Sequence, residues 1–458
     1  LKSENSTLSF QEISKSSGLI QKILYTALLL AVYRFGVHIP LYGVDQNALK
    51  SSTVLSSGLL GLVDMFAGGA LSALSIFALG IGPYITASII MQLLVEIIPN
   101  LKEMQRNQGD DGRKKFQRIT RFFTILLALF QSFALARFLD VAQLAVKADS
   151  VFYVRTVVVL TITSLFIMWL GEVITEKGVG NGASLLIFVG IASKMPIMIK
   201  DTATAVRVGS SPQWGVISLV LLFLALTVLI IYIQEGSRNL MIYGAKRNNM
   251  MNKDHTLPLK INPAGVLPII FASALLFMPV QILTFAGIQN QSISMLIRET
   301  FAKFPGVTAL SGTFLATFGN WLAERIEFIF QYSKVEHSIA YLLMIIAFTF
   351  FYSSIVLNPR EIAENLKKSG STLEGVKPGR PTSEYLEKII SRIVLIGALA
   401  IGLIAVLPTH AEQWFQVNTL GGLGSTSLII LVGVAVDVRN QLLAYIQSHR
   451  YQTKSLLD

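Results

Sequence analysis

The run GVGNGAS at 178–184 is the nearest thing in this sequence to a ligand-binding fingerprint. Glycine-rich turns of this kind hold phosphates when they leave a strand, open a helix and carry a lysine, because backbone N–H groups then point at the anion. This run follows an apolar segment and has no lysine after it. No G-x-x-x-x-G-K-[ST], G-x-S-x-G or H-E-x-x-H occurs in the chain, so it has neither a P-loop for nucleotide hydrolysis nor the usual sequence handle of a hydrolase. There are no cysteines, which excludes disulfides, thiolate metal sites and cysteine nucleophiles. No cofactor is implied.

The remaining chemistry would lie in charges inside apolar surroundings. Arg34, Arg137 and Glu172 fall near the ends of apolar runs, where their side chains reach water, while Asp437 and Arg439 lie well inside one. A transporter driven by ions or protons needs such a group near the membrane midplane. Asp437 is the candidate for that role, with pairing to Arg439 or approach to the interface as the competing reading.

The elements that position these residues are membrane spans. Only 14% of the residues are charged and 52% are hydrophobic, against about 25% charged in an ordinary soluble domain. A helix of about 20 apolar residues crosses the hydrocarbon. Ten runs qualify: 19–36, 73–98, 119–139, 154–174, 183–199, 214–234, 264–286, 339–357, 389–408 and 422–442. The expected fold class is therefore an all-α membrane protein with ten transmembrane helices.

Orientation follows the basic residues, which resist translocation. Lys102, Arg106, Arg113, Lys114, Lys115 and Arg118 lie in 96–118; Arg238, Lys246, Arg247, Lys253 and Lys260 in 235–263; Arg360, Lys367, Lys368, Lys377 and Arg380 in 358–384. These are alternate loops. The opposite set is poor in Lys and Arg, so both termini are expected in the cytoplasm, and the net charge of +11 mostly reflects this bias. Three basic loops on one face can also dock an acidic partner or ribosomal RNA.

Ten spans split into two fives, and an odd number per half makes the second half enter from the opposite side. The division reads as a cytoplasmic tail 1–18, a first half 19–199, an external connection 200–213, a second half 214–446 and a cytoplasmic tail 447–458. No residue-level repeat accompanies it. The apolar stretch Leu59–Leu74 is too short to cross and carries Asp64 and the pair Gly68-Gly69; it reads either as a re-entrant piece or as an external amphipathic helix. Gly80, Gly82 and Pro83 in the second run, and Pro263, Gly265, Pro268 and Pro279 at the seventh, are expected to weaken or kink those spans. The external loop 287–338 holds an apolar stretch, Phe314–Phe330, readable as an interfacial helix.

Several segments in order carry a family likeness: MFAGGALS at 65–72, FALGIGPYITASIIMQLL at 77–94, LGEVITEKGVGNGAS at 170–184, GAKR at 244–247, LPLKINPAGVLP at 257–268, NPREIAENLKKSG at 358–370 and GGLGSTSLII at 421–430. From about Leu19 to Tyr451 the chain resembles the SecY family, the channel subunits of the Sec protein translocase. The resemblance implies two inverted five-helix halves around a central pore, through which unfolded secretory polypeptides cross and from which apolar segments leave sideways into lipid. It also implies small subunits of the SecE and SecG type, the SecA ATPase, the ribosome, signal-bearing precursors and membrane lipid as partners. The membrane would be a bacterial inner membrane, or a thylakoid or plastid membrane.

Residue by residue, the resemblance puts a pore ring on Ile81, Ile85, Ala183, Ile187, Ile270 and Ile430, and a re-entrant plug on 59–74 with Leu62, Asp64, Met65, Phe66, Gly68 and Gly69. Ile81 and Ile85, like Ala183 and Ile187, are four apart and share a helix face. A ring of branched aliphatic side chains dewets when empty and blocks ions. A lateral gate between spans two and seven would involve Thr86, Gln92, Ala274 and Met278. Arg238, Lys246, Arg247, Arg360, Lys377 and Arg380 would meet the motor or the ribosome. Lys377 stands where the family usually has Arg, and Asn239 follows Arg238 where a second basic residue is common; Lys does not reproduce the planar fork of Arg.

The rival from another class is an ion-coupled secondary transporter with inverted repeats, distinguished by an essential midplane carboxylate. An intramembrane hydrolase stands third, disfavoured by the missing catalytic constellation.

Overall fold

The computed structural model describes residues 17–45, 64, 67–107, 109–147, 149–244, 255–285, 335–417 and 425–455. Its helices are α1 Ser17–Val37, α2 Gly82–Ile97, α3 Pro99–Asn107, α4 Gly109–Val141, α5 Ser150–Lys177, α6 Gly182–Val208, α7 Gln213–Glu235, α8 Leu267–Phe285, α9 Val335–Val356, α10 Pro359–Lys368, α11 Arg380–Trp414 and α12 Ser425–Ser455. Among the described residues eight helices are long and apolar enough to span a bilayer, and Gly82–Ile97 and Leu267–Leu276 are shorter apolar helices. The protein is an integral, multi-pass membrane protein.

The pattern of burial is that of chains solvated by lipid. On α7, Leu219, Leu226, Ile230 and Ile233 are buried, while Ile217, Leu221, Leu224 and Val228 on the other face are equally apolar and exposed. A helix apolar all round, half of it uncovered, is stable only where the surroundings are apolar too. Hydroxyls inside such helices bond back to their own backbone: Thr26 to the Lys22 carbonyl and Thr124 to that of Thr120, both at 2.8 Å.

Two compact units are formed, one from Leu1–Ala203, Ala274–His337 and Asp437–Asp458, the other from Thr204–Ser273 and Ser338–Val436. In the first, the expected span 73–98 begins only at Gly82; residues 67–81 run in turns. Gly80 has φ 53°, Ile81 caps the helix and Pro83 stands in its first turn. Gly80, Gly82 and Pro83 therefore start α2 rather than kink it, since a proline there forfeits no intrahelical bond. The non-helical backbone is satisfied by neighbours: Leu41 N–H donates to the Leu74 carbonyl, Thr163 Oγ1 of α5 to Ile76 (2.6 Å) and Ser164 Oγ to Gly80 (3.3 Å). Leu41, Leu71, Leu74, Leu135, Phe138, Leu139, Phe152 and Leu160 pack around it. Helix α6 continues to Val208, nine residues past the expected end at 199.

In the second unit, the turn before α8 repeats the device, with Gly265 at φ 63° and Pro268 as the second helical residue. The loops 235–263 and 358–384 are not plain connections, a departure from the purely helical expectation. Strands β1 Ser237–Gly244, β2 His255–Lys260 and β3 Ser371–Leu373 form an antiparallel sheet in the order β2-β1-β3, with Leu240 opposite Leu257 and Tyr243 opposite Thr372. Leu240, Leu259 and Leu373 bury their side chains against Leu386, Ile389, Ile390, Ile393 and Val394 of α11. Between β2 and β3 in sequence, α10 is capped by Asn358, which accepts the Arg360 N–H, and ends on Lys367 and Lys368.

Candidate functional site

Within the first unit, Asp64 and the stretch 67–72 are held from two helices, α1 and α6. Asp64 is 2% exposed. One carboxylate oxygen accepts the Ser72 N–H at 2.7 Å, the other pairs with the Lys194 ammonium of α6, and its carbonyl accepts the Gly69 N–H at 2.8 Å. From α1, Tyr33 Oη donates to the Ala67 carbonyl (3.2 Å) and Arg34 Nη1 to that of Gly68 (2.9 Å). Gly68, at φ 69°, passes so near α6 that a Cβ on it would lie 2.9 Å from Gly190 Cα. Of the expected plug residues, Asp64, Gly68 and Gly69 belong to this arrangement, whereas Leu62, Met65 and Phe66 lie outside the described residues.

Lys194 did not stand out among the intramembrane charges, although the sequence carries the signal. It sits inside the apolar run 183–199, and Asp64 is the one acid in the apolar stretch 59–74. Opposite charges on two apolar segments pair when they are buried. Two of the charges near span ends form ion pairs as well: Glu172 of α5 with Arg121 of α4 at 3.0 Å, and Arg137 with Asp140 at 3.1 Å.

The aliphatic candidates are placed as follows. In the first unit Ile81, Ile85 and Ile187 are buried and Ala183 is half-buried. Ile81 is the cap of α2 rather than a helical residue, but its carbonyl still accepts the Ile85 N–H at 3.1 Å, so the spacing of four is kept. A Cβ on Gly171 would lie 3.6 Å from both Ile81 Cδ1 and the Ala183 nitrogen, which brings the start of α2 to the start of α6. In the second unit Ile270 of α8 and Ile430 of α12 are 3% and 0% exposed. There a Cβ on Gly433 of α12 would meet Val266 Cγ2 at 2.2 Å, so α12 lies against the turn that opens α8.

The glycine-rich run 178–184 is a packing junction and not an anion site. Its amides are already used: Val179 N–H donates to Thr26 Oγ1 (3.1 Å), Gly180 to Gln441 Oε1 (2.9 Å) and Gly182 to Thr175 Oγ1 (2.9 Å). A phosphate cradle needs such groups free and convergent. Among the described residues no cluster of His, Asp and Glu could hold a metal ion.

Of the gate candidates, Thr86 donates to the Gly82 carbonyl of its own helix at 3.1 Å, and Gln92 donates to Ser88 at 3.2 Å while its Oε1 is buried with no partner among the described residues. Ala274 is half-buried on α8, and the Met278 side chain lies outside the described residues. Among the basic candidates, Arg238 on β1, Arg360 on α10, Lys377 and Arg380 are exposed, and Arg380 pairs with Glu384 at 3.0 Å. Lys246, Arg247 and the stretch Phe314–Phe330 lie outside the described residues.

Comparison with known proteins decides what this arrangement serves. The SecY family model matches residues 75–439. The chain is 38% identical over 460 residues to the protein translocase subunit SecY of Synechococcus elongatus, covering 98% of each, and 36% identical over 445 residues to that of Porphyra purpurea, covering 96% of this chain and 99% of the relative. It belongs to the SecY family. The fold agrees: a structure described as a protein conducting channel matches with TM-score 0.62 over 92% of this chain and 91% of that one, at 16% identity. Sec61 from a canine ribosome-channel complex matches with TM-score 0.59 over the same shares. As a SecY-family member the chain is a non-enzymatic, protein-conducting channel subunit, not an ion-coupled transporter.

Proposed function

We propose that this chain translocates unfolded secretory polypeptides through a pore bounded by Ile81, Ile85, Ala183, Ile187, Ile270 and Ile430, and releases apolar segments sideways into lipid. The observation that carries conduction is the end-to-end match to translocase subunits. The ring reading is supported by burial of all five isoleucines and by their placement at the starts of α2, α6 and α8 and on α12. Branched side chains there seal by excluding water and grip a passing chain without specific hydrogen bonds.

The stretch 59–74 serves as the plug. A re-entrant segment is stable only where protein or water satisfies its backbone, and the bonds from Tyr33, Arg34, Thr163 and Ser164 do so from Ala67 to Gly80. The gate lies between α2 and α8, with Thr86, Gln92, Ala274 and Met278 along it. The ten-span topology in two inverted halves keeps both termini in the cytoplasm. That orientation is supported by the sheet, because strands from 235–263 and 358–384 hydrogen-bond to each other and so lie on one side of the membrane, with the basic residues they carry.

Those loops dock SecA or the ribosome, and SecE- and SecG-type subunits complete the complex in a bacterial inner membrane or a thylakoid or plastid membrane. Reconstitution into vesicles with the small subunits, SecA and ATP tests the reading. A precursor with a signal sequence should become protease-protected in an ATP-dependent way; vesicles that instead accumulate a small solute with an ion gradient would overturn it.

A further inference from the structure

We infer that Lys194 is the positioning residue that latches the plug, and that its ion pair with Asp64 sets how readily the channel opens to a weak signal. The inference rests on the channel reading above and assigns a role to a residue outside the pore ring, the gate and the basic loops.

The geometry separates this contact from the others that hold the segment. Tyr33 and Arg34 reach backbone carbonyls, which any sequence would present. The Asp64–Lys194 contact is instead made between side chains, and it joins the segment to a different helix, α6. The Asp64 carboxylate is doubly engaged, by Lys194 and by the Ser72 N–H, so it fixes both where the segment sits and how its turn closes. Gly68 against Gly190 lets the two backbones approach closely enough for the pair to form one helical turn further along α6.

Burial decides what the pair does. A buried ion pair contributes little net stability, because both charges give up water to make it. Removing one partner is different, since it strands the other charge in an apolar site. The latch is therefore weak when both charges can be rehydrated together, as they are when a plug leaves for a water-filled space, and strong against half-opened arrangements. That is the behaviour of a two-state catch. It is also asymmetric: the side chain of Asp64 is 3% exposed and that of Lys194 22%. Stranding Asp64 disturbs the plug more than stranding Lys194.

The test uses the complete complex in vesicles and the absence of native cysteine. Ala70→Cys places a thiol at a position that is fully buried in the latched segment. Lys194→Met should raise its labelling by a maleimide about tenfold or more, Asp64→Asn by less, and Lys194→Arg hardly at all; Asp64→Lys combined with Lys194→Asp should return it to within about threefold of the parent. Resting ion leak and acceptance of precursors with defective signals should rise in the same order. Unchanged labelling in Lys194→Met, or a charge-reversed pair that labels as fast as Lys194→Met, overturns the latch. Should Lys194→Met fail to assemble, Asp64→Asn against the charge-reversed pair gives the same comparison. Labelling needs no conduction, so the expected order in vesicles that translocate nothing would uphold the latch and sink the channel reading.

Discussion

Gly182 stands so close to Gly171 that a Cβ on it would lie 1.9 Å from the Gly171 carbonyl oxygen. The contact is with backbone, so no rotamer change relieves it. Thr175 bridges the same junction, donating to the Gly171 carbonyl at 2.8 Å and accepting the Gly182 N–H at 2.9 Å. Overpacking costs about 1–3 kcal/mol where side chains can yield, and more is expected where they cannot. Gly182→Ala should therefore lose assembled protein from the membrane or lower the melting temperature by several degrees. Thr175→Val, which leaves one N–H unpaired, should cost about 1 kcal/mol. Thermal unfolding of the purified complex reads both, and a Gly182→Ala protein as stable as the parent would deny the close approach.

The spans were legible because a bilayer imposes one length and one composition, and runs such as 214–234 satisfy both without reference to neighbours. Where local and global signals compete, composition misleads. Residues 73–98 are predominantly apolar and read as one span, yet Gly80 and Pro83 mark a helix start inside the run. The apolar residues before it are buried by packing against α4 and α5, not by lipid. The sheet is hidden for the opposite reason: in β1, Leu240 and Ile242 turn inward while Met241 and Tyr243 are exposed, an alternation too short to outweigh flanking charges. Side-chain pairings across distant segments, such as Asp64 with Lys194, have no periodic signature at all.

Ile270 and Ile430 are 3% and 0% exposed, so an amide placed at either must find a partner or admit water. In a sealing ring the second outcome dominates. Ile430→Asn and Ile270→Asn should each raise resting ion leak and let precursors with defective signals through, with the protein still inserted. Conductance of planar bilayers and export of a signal-defective reporter measure the two effects. Leak and stringency equal to the parent in both variants would remove these residues from the seal.

Arg380 is 91% exposed at its side chain, and its pair with Glu384 joins adjacent turns of α11. Surface pairs of this kind contribute about 0–1 kcal/mol. The nearby turn is fixed by Thr382 Oγ1 on the Lys377 carbonyl, a bond that does not involve the Lys377 side chain. Lys377→Glu with Arg380→Glu should therefore leave insertion and melting unchanged while cutting precursor-stimulated SecA ATPase activity severalfold through charge reversal alone. Full ATPase activity in the double variant would move the contact to the loop that contains Lys246 and Arg247.

A signal sequence is an apolar helix that gains free energy on leaving water for lipid, so the channel wall must part to let it through. The two helices proposed to part are α2 and α8. Each opens after a non-helical turn with a glycine at positive φ, Gly80 and Gly265, and has a proline among its first two residues, Pro83 and Pro268. A proline at that place has no N–H to surrender, so either helix can tilt about its start without breaking its own ladder. On α2 the swing is thus expected at the helix start, whereas α8 also carries Pro279 inside its helix. On α2, among the described residues Thr86 bonds only to the Gly82 carbonyl of its own helix, and a cysteine there should cost little. We expect a disulfide to form in the resting complex between Thr86→Cys and Ala274→Cys or Met278→Cys, provided the Cα atoms approach to about 4.4–6.8 Å. Oxidation should stop translocation and abolish crosslinking of signal sequences to α2 and α8, and reduction should restore both. The measurement is precursor protection before and after reductant on protein whose crosslinking is complete. If fully oxidised complex translocates at the reduced rate, α2 and α8 do not form the exit, and the swing of their glycine–proline starts serves something else.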